Sequence, residues 1–172
     1  MENEKTSKNG NRIIKDIPRL ENDLYRVSAW RGREGKAFLD LRVFYFNIDG
    51  KLRKSKAGIN VLARLRHEIA AALLEVKDSP ELPLPVEGKT CEAALVTTVQ
   101  ISEAEQYQVS KVRGPKNSFV RICYSFKGKD GNFIPSGRKA LSILESSVAQ
   151  VAEALRSPEA EPDQAEAVTE EA

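Results

Sequence analysis

Residues 25–32 read YRVSAWRG and residues 107–114 read YQVSKVRG, so Tyr25/Tyr107, Val27/Val109, Ser28/Ser110, Arg31/Arg113 and Gly32/Gly114 coincide at a spacing of 82. The register runs on through the flanks. Phe38-Leu39-Asp40-Leu41 faces Phe119-Val120-Arg121-Ile122 and Asp49-Gly50 faces Asp130-Gly131 at a spacing of 81; beyond the glycines the spacing of 82 returns, matching Ile59 with Leu141, Leu62 with Leu144 and Ala72-Leu73 with Ala154-Leu155. The length changes fall between apolar runs, where loops tolerate them. Residues 21–77 and 103–156 are therefore two copies of one unit. A unit of about 55 residues is near the lower limit for burying its own core, so the copies are expected to share one.

Within each copy the pattern predicts strands followed by a helix. In AFLDLRVFYF, Leu39, Leu41, Val43 and Tyr45 alternate with Phe38, Asp40, Arg42, Phe44 and Phe46; in the second copy Val120, Ile122, Tyr124 and Phe126 alternate with Phe119, Arg121, Cys123, Ser125 and Lys127. The first set in each copy is apolar and is expected to pack on the helix, whereas the second mixes aromatic, polar and basic side chains. Asp49-Gly50 and Asp130-Gly131 signal hairpins. Leu62, Leu65, Ile69, Ala72, Leu73 and Val76, and later Leu144, Val148, Val151 and Leu155, recur at helical spacing. The expected class is α+β, with two β-β-β-β-α repeats packed as an intramolecular pseudo-dimer. Around them come a flexible arm (1–20), a segment with Pro80, Pro83 and Pro85 that reads as linker and lead-in strand (78–102), and a disordered acidic tail (157–172).

Charge narrows the partner. The net charge of +2 hides an asymmetry: the six acids Glu159, Glu161, Asp163, Glu166, Glu170 and Glu171 have no base among them, and setting them aside leaves 27 Lys and Arg against 19 acids, a net +8 on residues 1–156. That favours a polyanionic ligand for the repeats, and leaves the tail free to compete with it or to meet a protein partner. One histidine and two cysteines make no four-ligand zinc set, and no nucleophile has a visible relay, so neither cofactor, metal site nor catalytic residue is expected. No apolar run nears the ~18 residues of a membrane span and the N-terminal residues lack a signal-peptide core, so a cytoplasmic protein without membrane contact is expected, nucleoid-associated, or nuclear in a eukaryote.

The run FLDLRVFYFNIDGKLRKSKAGINV resembles the single-stranded-DNA-binding domain of the positive cofactor four family of transcriptional coactivators through Asp40, Leu41, Arg42, Tyr45, Gly50, Leu52, Arg53, Lys56, Gly58, Ile59 and Val61. It departs at Lys54, where that family tends to have proline, and at Ala57, where it has a base. The second copy keeps Pro135, Arg138 and Lys139 but has Ala140 for the glycine and Arg121 and Cys123 for the Asp and Arg. The resemblance implies a whirly-like fold in each repeat, unpaired strands gripped by curved sheets, and no catalysis. Pur-alpha repeat proteins are similar in organisation.

A strand-binding surface needs cations along a backbone path and flat side chains under bases. The candidates are Arg26, Trp30, Arg31, Lys36, Arg42, Phe44, Arg53, Lys54 and Lys56 in the first copy, and Lys111, Arg113, Arg121, Arg138 and Lys139 in the second. Trp30 shares its strand face with Arg26 and Ser28; Phe46 is read as lining the interface between repeats. The expected function is single-stranded nucleic-acid binding, DNA before RNA, in transcription regulation or protection of unpaired DNA. The alternatives are RNA binding on the same fold, and a protein-interaction or regulatory module without nucleic-acid binding, whose basic face serves acidic partners or goes unused. Further oligomerisation is left open.

Overall fold

The computed structural model describes residues 11–162. Half of the expected arm (1–10) and the end of the acidic tail (163–172) lie outside the described residues. In chain order come β1 (Arg12–Pro18), β2 (Asp23–Arg31), β3 (Ala37–Phe46) and β4 (Leu52–Leu62), a 3-10 turn and α1 (Arg66–Lys77), then β5 (Glu92–Gln100), β6 (Glu105–Arg113), β7 (Ser118–Lys127), β8 (Phe133–Leu144) and α2 (Glu145–Arg156).

All eight strands hydrogen-bond into one antiparallel sheet of order β1-β2-β3-β4-β8-β7-β6-β5. This corrects the expected class. Among the described residues 51% lie in strands and 20% in helices, an eight-stranded antiparallel sheet with two α-helices in place of an α+β pseudo-dimer of two whirly-like β-β-β-β-α repeats. The physical reason lies at β4 and β8. Each would otherwise be an exposed edge with unpaired N–H and C=O groups, and two small residues, Gly58 and Ala140, pair across the junction. The two strand sets join edge to edge there.

Residues 12–18 also correct the reading of the arm. They pair with β2 as the sheet's outer strand, with Ile17 fully buried and Ile14 packed on the core. Three isoleucines in a polar stretch are enough for an edge strand, whose outer side needs no apolar residues.

α1 packs against β5, β6 and β7 of the other unit, while α2 packs against β1 and β2 of the other unit and β7 and β8 of its own. Between helices and sheet a single core contains Leu39, Leu41, Ile59, Ile69 and Leu73 together with Val109, Ile122, Ile143, Val151 and Leu155. The alternation predicted for β3 and β7 places Leu39, Leu41, Val43, Val120 and Ile122 in this core. Both strands then overhang the helical layer, so Tyr45 and Phe126 are exposed. Phe46, expected at the interface between repeats, is 47% exposed beside the β3–β4 hairpin.

The repeated tyrosines explain part of the repeated octet. Tyr25, on β2, donates its hydroxyl to Ser142 O (3.1 Å) and accepts from Leu144 N (2.9 Å) at the end of β8; Tyr107, on β6, accepts from Leu62 N (3.0 Å) at the end of β4. Leu62 and Leu144 are themselves a repeat pair, so each unit's tyrosine satisfies the other unit's chain where strand gives way to helix. Leu62 and Leu144 stand at the N-cap positions there, and neither has a side chain that can cap the turn that follows.

Candidate nucleic-acid interface

Two clefts open at the β4–β8 junction. The first, about 400 Å³, has an aromatic wall: Trp30 and Phe38, cross-strand neighbours on β2 and β3, stack with centroids 4.9 Å apart and planes 19° from parallel. The indole Nε1 donates to Asn60 Oδ1 at 2.8 Å, which fixes the ring against β4. Tyr124, from the overhanging end of β7, faces them across the cleft, with Lys139 Nζ 4.8 Å from its ring centroid. Lys36, Arg42 and Arg138 complete the basic lining.

Glu105 stands at this cleft and accepts the Tyr124 hydroxyl at 2.6 Å. That hydrogen bond, with some burial, pushes the Tyr124 phenol up to about 12. The same bond lowers the Glu105 carboxyl, with help from Lys36 and Lys139. Tyr124 is therefore held neutral and its ring is held in place, while the two lysines outweigh the single acid.

The second cleft, about 800 Å³, is lined by Arg19, Lys56, Arg121 and Arg138 with Val43 and Ser142, and has no aromatic ring. Arg138 belongs to both, so the clefts meet at one side chain. Lys36, Lys56, Arg121, Arg138 and Lys139 are all exposed.

Of the residues predicted from sequence, Trp30, Lys36, Arg42, Arg138 and Lys139 come together in the aromatic cleft, and Lys56, Arg121 and Arg138 in the basic one. Arg42 is spent in part on structure: its guanidinium meets the buried Asp40 at 3.1 Å and donates to Ser55 O, lying over Gly58. Arg26 is paired with Asp16 at 2.8 Å and covers the Phe44 ring at 4.6 Å, so both stand apart from the clefts. Arg53 and Lys54 are exposed on the outer half of β4 and line neither cleft. Arg31 donates to Gly35 O and borders a neighbouring depression with Arg64 and His67.

Two others sit elsewhere. Lys111 is 2% exposed, and its ammonium donates to Lys77 O (2.9 Å) and Ser79 O (3.2 Å), neutralising the C-terminal end of α1. It shares a strand face with Tyr107 and Val109, so counting by twos from Tyr107 reaches the buried side. Arg113 bonds Ser118 and Glu81 near the start of β7. Sequence reasoning missed Tyr124, Phe38, Asn60, Arg19 and Glu105. Tyr124 was assigned to the helix-packing face, which is right for direction, but the strand outruns the helix there.

Among the described residues no group of three or more His, Cys, Asp or Glu is arranged to hold a metal ion, and no helix is long and apolar enough to cross a membrane. No protein-family model matches the chain, and no curated protein matches its sequence.

Proposed function

We propose that this chain binds single-stranded nucleic acid, DNA before RNA, at the β4–β8 junction, as a binding protein rather than an enzyme. The observation that carries the reading is the coincidence in one cleft of a stacked Trp30–Phe38 wall, Tyr124 and the cations Lys36, Arg138 and Lys139. Bases are flat and apolar on their faces and phosphates are anionic, so a ligand that unites both matches this lining; a paired duplex hides its base faces. The basic cleft extends the same path through Arg138 to Lys56, Arg121 and Arg19. The resemblance of residues 38–61 to a single-strand-binding domain supports the same ligand class. Protection of unpaired DNA and modulation of transcription are the cellular roles that suit such binding.

Fluorescence anisotropy with an oligonucleotide of about 20 residues, its duplex and its RNA counterpart tests the reading. Preference for the single strand, lost on replacing Arg138 and Lys139 with serine, is the expected outcome. Equal weak binding to all three would reduce the site to a general basic surface, and tighter RNA binding would exchange the ligand. Binding to none would favour the protein-interaction alternative.

A further inference from the structure

The two clefts occupy corresponding places in the repeat yet differ in chemistry. Tyr124 corresponds to Val43, Lys139 to Ala57 and Asn60 to Ser142, and Trp30 corresponds to Val112, which lines neither cleft. The aromatic cleft thus has rings where the other has aliphatic or small side chains. The basic cleft gains a cation in return: Arg121 stands where the first copy has Asp40, which is buried under Arg42.

We propose, building on the single-strand reading above, that the two clefts take different parts of one strand: the aromatic cleft takes an unstacked base against Trp30 and Tyr124, and the basic cleft takes sugar-phosphate alone. Three features support the division. Trp30 is held by its stack on Phe38 and its bond to Asn60, so its orientation is set before a ligand arrives. Asn60 spends its oxygen on the indole and keeps its amide N–H groups for an acceptor on a base edge. The basic cleft offers Arg19, Lys56, Arg121 and Arg138 but no flat surface. With unlike clefts meeting at Arg138, a bound strand has a fixed direction, which two equal clefts would not impose.

The test uses the whole chain with a homothymidine strand of about 20 nucleotides and an abasic strand of the same length, which keeps the phosphates and lacks the bases. Trp30 is the only tryptophan, so its fluorescence reports the aromatic cleft directly; quenching by the intact strand and none by the abasic strand is expected. Tyr124→Val, which installs the residue of the other cleft, is expected to weaken binding of the intact strand about tenfold, the equivalent of one stacked base, with abasic binding unchanged. Arg121→Ser is expected to weaken both by the same factor. Should Tyr124→Val disturb folding, Asn60→Ser supplies the milder substitution with the same expected selectivity. Intact-strand binding that leaves Trp30 fluorescence unchanged, or equal loss on both strands in Tyr124→Val and Asn60→Ser, would overturn the division while leaving single-strand binding intact. Failure to bind either strand would overturn both.

Discussion

At the scale of single residues, Tyr25 and Tyr107 do the most for their size. Each phenol lies under the helices and meets backbone groups of the other unit, so removing a hydroxyl leaves buried polar groups unmet. Tyr25→Phe strands both Leu144 N and Ser142 O and is expected to destabilise the chain by about 1–3 kcal/mol in urea denaturation, with Tyr107→Phe at the lower end. Burial raises both phenols above 10.0, against the hydrogen bonds that lower them. Because the unfolded chain then loses these protons first, their contribution is complete below the unfolded value and is lost as pH rises through the folded one. Stability measured across the alkaline range is expected to fall from about pH 10 upward, less steeply in the two Phe variants. Tyr124 is a separate case. Its phenolate is expected near pH 12 by ultraviolet titration, and Glu105→Gln should bring it down, since the carboxylate is the first cause of the shift.

Among elements, β4 carries the greatest constraint, because it pairs with β3 on one side and meets β8 on the other. At Gly58 a Cβ would fall 2.7 Å from Arg42 Cζ and 2.8 Å from Leu41 O, and the second of these is backbone that can only move by distorting β3. Gly58→Ala is expected to cost roughly 1–3 kcal/mol and to disturb the Arg42–Asp40 pair, which thermal unfolding and the dispersion of strand amide signals would register. The strands were legible in the sequence because period-2 alternation survives wherever one face is buried; β3 and β7 follow their patterns as far as Val43 and Ile122, and the helices begin later than their spacing implied, since Leu62 and Leu144 end strands and Leu65 lies in the 3-10 turn. The joining of β4 to β8 was not legible, since edge pairing depends on the backbone and on two small residues, Gly58 and Ala140. β1 was missed because an edge strand with one fully buried residue leaves little periodicity. The same limits apply to the interface: its cations stand out in the sequence, but burial of Lys111 and the pairing of Arg26 with Asp16 depend on which neighbours the sheet brings near.

On the scale of the whole molecule, α1 packs on the second unit's strands and α2 bridges β1 and β2 to β7 and β8, so the two units share their cover. Fragments spanning residues 11–90 and 91–162 are each expected to lack a cooperative thermal transition, and to regain one when mixed. Two independent transitions would contradict the shared core. The same interlocking holds the junction clefts in place, because their walls come from strands of both units. If the junction binds a single strand through Lys36, Lys56, Arg121, Arg138 and Lys139, the affinity must follow salt in proportion to the phosphates neutralised. The most direct measurement is therefore the dependence of single-strand affinity on salt concentration, for the unaltered chain and for Arg138→Ser. A log–log slope of about −3 to −4, made shallower by about 0.7 in the variant, is the predicted result. A slope near zero, or one that Arg138→Ser leaves unchanged, would contradict it.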